Sequence, residues 1–438
     1  MNKRIKYRAL TILFFCLSGQ IFAQEKLILS REQAEAVFLK ENLLLIAERL
    51  EVPKAEAMVL QAKLWPNPTI ELNETNLWVT RNQIEHAGAE GFLPPFTSGG
   101  RFGQNQQFGI QIEQLIQTAG KRKKLVALEQ VSVDMSKQYL EDLLRNLKIE
   151  FRNQLTTLQY LQFSRSIYQN QFNSIRQLTQ AYKRQVEQGN VPQGEYIRLK
   201  ALELEIAKNI NELNKDVDEA QKELKLLMRL PATTQLEITD EGYLKNTEQF
   251  KILALNDVIE QAKANRPDYK IAALEESYYN KLYALEKAQR TPDLNFIVNY
   301  DRGGNFIKDF VGFGVAMDLP FFNRNQGNIK SARIGIEQSK VLYEQMTLSV
   351  ESEIVLSFQN LTNAITFLEE IEPDYETTLD RMLESYTKNF INRNISLLEY
   401  LDFLDAYLEN KEIILEAGKD VNEKAEQLNF SIGTDLIK

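Results

Sequence analysis

The most constraining feature of this 438-residue sequence is a stretch from about 121 to 188 that contains neither proline nor glycine. Apolar residues recur through it at steps of three or four, which predicts one amphipathic helix. The members of this series are Met135, Tyr139, Leu143, Leu147, Phe151, Leu155 and Leu158. At about 1.5 Å per residue, such a helix would reach about 100 Å, a length typical of coiled coils. A similar series begins at 329, where Pro373 is expected to kink the helix.

The chain also contains two halves that share one order of features. Residues 62–67 resemble residues 288–293, and residues 189–196 lie opposite residues 393–400. Two segments with the same order of motifs indicate a duplicated unit of roughly 200 residues. Each half is predicted to contain a helix, two strands and a long helical hairpin.

Four segments alternate between apolar and small or polar residues, which predicts β-strands at about 68–79, 106–116, 293–301 and 309–319. The residues expected on the apolar face of the last two strands are Phe296, Val298, Phe313 and Val315. One apolar and one polar face is the pattern of a membrane barrel strand, with lipid outside and water inside. A half-buried strand in a soluble sheet would show the same alternation.

Residues 1–23 are predicted to be a secretory signal peptide. Four basic residues within the first eight positions precede an apolar run at 9–22, which is too short for a spanning helix. The single cysteine, Cys16, lies inside that run, so we expect neither a cysteine nor a lipid anchor in the mature chain. Export leaves the periplasm, the outside or the outer membrane as the destination.

The composition excludes several kinds of site. One histidine and one cysteine cannot build a His/Cys zinc site, a Cys–His nucleophile or an iron–sulfur cluster. The net charge of −9 disfavours contact with phosphates, so nucleic acid is not expected as a partner. His86 lies in a predicted loop at 80–105, and the acids form no pair typical of hydrolases. We therefore predict no catalytic residue, no cofactor and no metal site.

Several motifs resemble those of the TolC family of outer-membrane efflux proteins, in particular the branch that includes cation-efflux components. They lie at 62–68, 115–122, 265–268, 292–294, 319–327 and 395–402. The segment Leu-Pro-Phe-Phe-Asn at 319–323, followed by Gly327, is the most specific of these. The resemblance implies a homotrimer in which each chain gives four strands to a shared 12-stranded β-barrel. Its coiled-coil helices would form an α-barrel tunnel across the periplasm.

The resemblance also implies a function and a division of the chain. The trimer would be a passive transport duct in outer-membrane lipid, joined through a periplasmic adaptor to an inner-membrane pump, and not an enzyme. The first repeat would cover 24–230 and the second 254–429. Their helical hairpins would lie at 121–230 and 328–429, with equatorial segments at 231–253 and 430–438.

The two helix–turn–helix tips, at 187–196 and 390–402, would form the periplasmic end of such a duct. Glu399 and Asp402 share a helical face, Asp405 extends it, and Glu195 is the counterpart of Glu399 in the first half. Three copies would place a carboxylate ring at a constriction, which would favour cations and retain some protons. Alternatively, these acids are ordinary solvated charges on a long helix.

Other residues at the tips are candidates for locking them shut or for contacting the adaptor. These are Arg184, Gly189, Asn190, Val191, Arg198, Arg393 and Asn394. The three arginines are expected to bond to the acids, whereas residues 392–394 stand where the family commonly has a glycine. Two alternatives remain for the whole chain: a soluble periplasmic coiled-coil adaptor or scaffold, or the same duct serving type I protein secretion or a drug pump.

Overall fold

The computed structural model describes residues 26–76, 107–239, 243–244, 248, 250–302 and 309–437. The predicted signal peptide, the loop with His86 and the last residues of the strand predicted at 68–79 lie outside the described residues. The chain divides into two units. We call residues 49–139 and 267–348 the sheet unit. Residues up to 48, 140–266 and 349–438 form the hairpin unit.

The described elements comprise six strands and ten α-helices. The strands are β1 (Lys26–Leu29), β2 (Thr69–Asn76), β3 (Gln107–Ile116), β4 (Gln235–Ile238), β5 (Leu294–Asp301) and β6 (Phe310–Ala316). The first five helices are α1 (Arg31–Glu41), α2 (Leu43–Arg49), α3 (Glu51–Lys63), α4 (Lys121–Glu187) and α5 (Gln193–Leu227). The others are α6 (Leu255–Asn265), α7 (Pro267–Ala288), α8 (Gln326–Glu370), α9 (Tyr375–Ile391) and α10 (Leu397–Ile432). None of the helices in this part of the chain has a stretch long and apolar enough to cross a bilayer.

In the sheet unit, the four predicted strands form one antiparallel sheet in the order β2-β3-β5-β6. Residues directly opposite each other on neighbouring strands share a face. One such row joins Ile70, Ile112, Val298 and Phe313 across all four strands. The row beside it, on the other face, joins Glu71, Gln111, Asn299 and Gly312. The alternation in the sequence therefore separates an apolar from a polar face.

A buried ion pair joins the beginning of α4 to the segment before β5. The Lys121 ammonium lies 2.8 Å from the Asp293 carboxylate, and the Lys121 side chain is only 6% exposed. The backbone N–H of Thr118 donates to the same carboxylate at 2.8 Å, and the Thr118 hydroxyl donates to the Pro292 carbonyl at 2.6 Å. Residues of the motifs at 115–122 and 292–294 therefore bond directly to each other.

The hairpin unit contains a two-stranded parallel sheet and a core of helix–helix contacts. β1 pairs with β4, so the segment predicted as a linker, 231–253, contributes a strand. Below these strands, Phe38 of α1 stacks on Phe151 of α4 with ring centroids 4.5 Å apart, and both rings are fully buried. The contact fixes α1 against α4 beside the small sheet.

Charged side chains also join distant segments of the hairpin unit. The Arg152 guanidinium lies within 3.0 Å of carboxylate oxygens of Glu35, Glu426 and Asp435. Arg266, from the motif at 265–268, is 2% exposed and donates to Glu353 at 2.7 Å. The Arg152 contacts tie the C-terminal Asp435 to α1, α4 and α10, and the Arg266 contact ties the end of α6 to α8.

α9 and α10 are held together by a similar cluster. The Lys411 ammonium, with its side chain 8% exposed, lies 2.8 Å from Glu376 and 2.9 Å from Asp380. The Tyr407 hydroxyl donates to the Asp380 carboxylate at 2.9 Å. Because removing one partner of a buried pair leaves the other charge uncompensated, this cluster fixes the pairing of the two helices.

Two predictions about helices are wrong in detail. The helix that Pro373 was expected to kink is broken instead, since α8 ends at Glu370 and α9 begins at Tyr375. Proline lacks an N–H and disfavours helical geometry in the residue before it, which explains a break of this length. The single helix predicted before the strands of the first half is instead three helices, α1 to α3. The Asn42 side-chain carbonyl accepts the N–H groups of Leu44 and Leu45 where α2 begins.

Candidate functional site

The first tip is a tight turn between α4 and α5. Gly189 adopts a left-handed conformation with φ of 75°. Its N–H donates to the Val186 carbonyl at 2.9 Å, and the N–H of Asn190 donates to the Gln185 carbonyl at 2.9 Å. This pair of hydrogen bonds is the glycine-dependent helix ending known as the Schellman motif.

The second tip repeats this geometry without a glycine. Arg393 has φ of 61°, and its N–H donates to the Phe390 carbonyl at 3.0 Å. The N–H of Asn394 donates to the Asn389 carbonyl at 2.9 Å, and the Asn394 side-chain amide donates to the Asn389 side chain at 3.1 Å. The Asn-Arg-Asn segment therefore forms the turn that the repeat alignment predicts.

Glu399 bonds to the beginning of its own helix. Ser396 is the N-cap of α10, and its hydroxyl accepts the N–H of Glu399 at 3.3 Å. In return, the Glu399 carboxylate accepts the backbone N–H and the hydroxyl of Ser396, both at 2.7 Å. This reciprocal arrangement is a capping box. The backbone N–H and then the hydroxyl of Ser396 lower the pKa of Glu399 below its usual range.

Asp402 and Asp405 follow Glu399 on the exposed side of α10. The pKa of Asp405 is raised, first by partial burial and then by the negative charges of Glu205 and Asp402. Glu205 lies on α5, so an acid of the first hairpin faces acids of the second. Glu205 therefore joins the predicted acidic face, and helical spacing within α10 could not reveal it because Glu205 lies on another helix.

Three aromatic rings join the two tips. Phe390 lies between Tyr182 of α4 and Tyr400 of α10, with ring centroids at 5.7 and 4.7 Å and nearly parallel planes. Tyr400 is fully buried. Burial and the Glu195 carboxylate raise the pKa of Tyr182, whereas the Arg393 charge opposes this change. Glu195 and Arg393 therefore both lie near the same ring.

The predicted locking ion pairs are not present within one chain. In the part of the chain that the structure describes, no ion pair links Arg184, Arg198 or Arg393 to Glu195, Glu399, Asp402 or Asp405. The Arg184 Nε donates instead to the Gln180 carbonyl of its own helix at 3.4 Å. Arg198 is exposed and Val191 is half-buried. The ring stack, rather than ion pairing, joins the tips.

The second candidate site is the apolar face of the sheet. Its four predicted residues, Phe296, Val298, Phe313 and Val315, all lie on this face and are 47%, 39%, 83% and 58% exposed. Ile70, Leu72 and Ile112 extend the exposed face over the first two strands. An exposed apolar surface of this extent is unusual on a soluble monomer and marks an interaction surface.

No site for a metal is apparent in the described residues, where no group of three or more His, Cys, Asp or Glu side chains is placed to hold an ion.

The sequence is similar to known efflux proteins. Residues 37–228 match the family described as Outer membrane efflux protein. A segment of 150 residues is 23% identical to the cobalt-zinc-cadmium resistance protein CzcC of Cupriavidus metallidurans. This segment covers 34% of the chain and 35% of that relative, so the match spans about a third of the relative's length.

The fold is similar to that of solved outer-membrane channels. The CmeC channel of Campylobacter jejuni aligns with a TM-score of 0.71 at 14% identity, covering 92% of this chain and 85% of that one. The MtrE channel of Neisseria gonorrhoeae aligns with a TM-score of 0.68 at 12% identity, covering 92% and 88%. At these identities the likeness shows the fold, which is the mainly helical architecture with one four-stranded sheet that the sequence predicted.

Proposed function

We propose that this chain, whose residues 37–228 match the family described as Outer membrane efflux protein, forms the outer-membrane exit duct of a tripartite efflux system. The duct conducts its substrate passively, and the energy comes from an inner-membrane pump joined to it by a periplasmic adaptor. The exposed apolar face that crosses all four strands of the sheet carries this proposal.

That face is suited to lipid contact. Phe313 and Val315 project from an edge strand where a soluble protein would place polar side chains. The opposite face carries Glu71, Gln111 and Asn299, which suit a water-filled interior. A sheet with one lipid-facing and one water-facing side explains why both sets of side chains alternate along every strand.

The proposed duct contains three copies of the chain, the number that the resemblance to the TolC family implies. The sheet has two edges, β2 and β6, and four strands are too few to close a barrel. Backbone groups at an open edge have no partner in lipid, so the edges must pair with other copies. Three chains supply 12 strands, and their helices, α4 foremost, form the tunnel wall on the periplasmic side.

The acids of α10 form the periplasmic gate in this proposal. Asp402 and Asp405 carry most of the effect, because the Glu399 carboxylate is already bound to Ser396. Together with Glu195 and Glu205, three copies present a ring that attracts cations at the constriction. In the proposed trimer, the exposed side chains of Arg184, Arg198 and Arg393 are available to acids on neighbouring copies.

The exposed turns contact the adaptor. Gly189, Asn190 and Asn394 are exposed at the ends of the hairpins, with Val191 beside them. Two turns of the same geometry allow one adaptor surface to bind both tips of each chain.

The proposed duct also divides each chain into two repeats, at 24–230 and 254–429. The equatorial segments are 231–253, which contains β4, and 430–438, which contains Asp435.

The alternatives differ in what they leave unexplained. A soluble adaptor would have no use for the apolar face of the sheet. A duct for type I protein secretion or a drug pump would share the fold, so the pump sets the substrate. CzcC is named for resistance to cobalt, zinc and cadmium, which makes divalent cations the first substrates to test.

Conductance in planar lipid bilayers tests this proposal. The purified chain should insert and give uniform conductance steps with a preference for cations. Chains that remain water-soluble without detergent and never insert would overturn it. A strain lacking the gene should also accumulate the substrate, and accumulation should be reversed by the wild-type gene.

A further inference from the structure

A basic cavity lies in the sheet unit, directly after the strand that carries Phe313 and Val315. It has a volume of about 500 Å³ and lies between α7 and the beginning of α8. The side chains that give it its character are Tyr283, Arg290, Phe322, Arg324, Lys330 and Arg333. Four basic side chains converge there in a chain whose net charge is −9.

The charges of this cavity are largely unopposed. No acidic residue is among the described residues that line it. Arg333 lies 3.7 Å from Glu337, in an ion pair whose side chains are 73% and 70% exposed. For Arg290, Arg324 and Lys330, the described part of the chain offers no carboxylate within 4 Å. The nearby Glu286 carboxylate is engaged by the Asn325 side chain at 2.5 Å.

That contact also shapes the cavity. Asn325 adopts a left-handed conformation with φ of 57°, and its side-chain amide also donates to the Glu286 carbonyl at 2.9 Å. The segment before α8 is thereby held against α7. Arg290, Arg324 and Lys330 all line the open cavity beside this contact.

The surroundings of the cavity are those of a membrane–water boundary. The exposed apolar residues of β6 continue beyond the strand as Met317, Leu319 and Phe321, which are 50%, 60% and 66% exposed. Phe322, at the cavity itself, is 96% exposed. Aromatic side chains at the end of an apolar band typically lie at the level of lipid headgroups, and basic pockets at that level bind anionic headgroups.

We propose that this cavity binds the phosphodiester headgroup of an anionic phospholipid in the periplasmic leaflet of the outer membrane. The guanidinium groups of Arg290 and Arg324 bind the phosphate oxygens, since planar donors match them in pairs. The Lys330 ammonium adds a third charge, and Phe322 lies among the first methylenes of the acyl chains. This inference rests on the proposed function, because it requires the sheet to lie in a membrane.

Native mass spectrometry of the full assembly in detergent tests this site. Phosphatidylglycerol should be retained at up to one molecule per chain, whereas phosphatidylcholine should not. Inorganic phosphate at equal concentration should compete poorly, because it lacks acyl chains. Equal retention of the two lipids, or displacement by phosphate as effective as by lipid, would overturn the proposal.

Matched variants locate the site. Arg324→Gln with Lys330→Gln should weaken phosphatidylglycerol retention at least tenfold, as expected from the loss of two charges near a headgroup. Lys281→Gln with Lys340→Gln removes two exposed charges from the same helices outside the cavity and should leave retention unchanged. If the double variant does not assemble, Lys330→Gln alone, at an exposed position, should still reduce retention severalfold.

Two outcomes separate this inference from the proposed function. If the Arg324/Lys330 variant changes ion selectivity in bilayers but retains the lipid, the basic cluster faces the lumen and the lipid site is refuted. If the wild-type chain neither inserts into bilayers nor fractionates with outer membranes, the duct itself is refuted. Normal channels with no preference for anionic lipid would refute only the cavity.

Discussion

Arg393 takes the left-handed backbone position in the second tip that Gly189 takes in the first, with φ of 61° against 75°. The flanking hydrogen bonds match as well, from Asn190 to the Gln185 carbonyl and from Asn394 to the Asn389 carbonyl, both at 2.9 Å. The same turn therefore occurs twice, once with glycine and once with arginine, whose left-handed backbone conformation is energetically unfavourable.

Relief of this penalty is measurable. A side chain in the left-handed region costs about 1–2 kcal/mol, part of which is offset because glycine gains entropy on unfolding. Arg393→Gly should therefore stabilise the second tip by about 0.5 kcal/mol, and Gly189→Ala should destabilise the first by about 1 kcal/mol. Hydrogen exchange of peptides that cover each turn measures both changes. Arg393→Ala is the control for loss of the guanidinium, and faster exchange in Arg393→Gly than in Arg393→Ala would contradict the account.

The capping box at the beginning of α10 gives a second prediction. Ser396→Ala should destabilise the first turn of α10 by about 1 kcal/mol, as N-cap removal usually does. Glu399→Ala should also speed hydrogen exchange there, whereas Glu399→Gln should not, because glutamine fills the same position of a capping box. If Glu399→Gln is as damaging as Glu399→Ala, the charge rather than the hydrogen bond matters.

The acids of the gate give a third prediction. Asp402→Asn with Asp405→Asn should raise single-channel conductance and weaken block by polyvalent cations, because the ring loses six charges in the proposed trimer. Glu384→Gln, an exposed acid on α9, is the matched control. If conductance and block are unchanged, these acids are ordinary solvated surface charges and do not form a gate.

The pH dependence of the gate has a defined sign. Because the pKa of Asp405 is raised, this carboxylate gains its proton first as the pH falls. Block by polyvalent cations should therefore weaken at a pH above the usual titration range of aspartate, and this early step should be absent in Asp405→Asn. The folded state should correspondingly gain stability as the pH falls through the raised pKa, since the unfolded chain binds this proton only at lower pH.

The ion pair of Lys121 with Asp293 gives a prediction about stability. Asp293→Asn leaves the buried ammonium without its carboxylate and should cost about 3 kcal/mol. Asp134→Asn breaks the exposed pair with Lys137, at 3.7 Å, and should cost less than about 1 kcal/mol. The temperature at which the assembly dissociates in detergent compares the two. Equal dissociation temperatures would refute the role assigned to this junction.

The orientation of the sheet gives a further prediction. Phe313→Arg should cost about 2–4 kcal/mol if the residue lies near the middle of the bilayer, and should sharply reduce the yield of assembled protein in outer membranes. Gln111→Arg, on the opposite face of the same sheet, should be tolerated. Equal yields from both variants would contradict the assignment of the apolar face to lipid.

The sequence predicted the features that depend on periodicity. The alternation around Phe313 and the proline-free run that became α4 are patterns that local geometry imposes on each segment. β1 was missed because four residues are too short for alternation to be recognised. Each of its residues pairs with a residue of β4 that lies 209 positions later in the chain. Whether two strands this far apart in the chain pair depends on how the rest of the chain folds, and the sequence of either strand alone does not reveal it.

The candidate site was predicted in part for the same reason. Helical spacing placed Glu399, Asp402 and Asp405 near one another, but it could not show that Glu399 bonds to Ser396 or that Glu205 faces Asp405 from another helix. The stack of Tyr182 on Phe390 joins helices from both halves of the chain.

Imaging of the mature chain, purified from membranes in detergent, tests the central claim most directly. The account predicts three-fold particles with a central channel, at least as long as the 67-residue helix α4, which is about 100 Å at 1.5 Å per residue. A protein that needs no detergent and images as a single thin rod would contradict it.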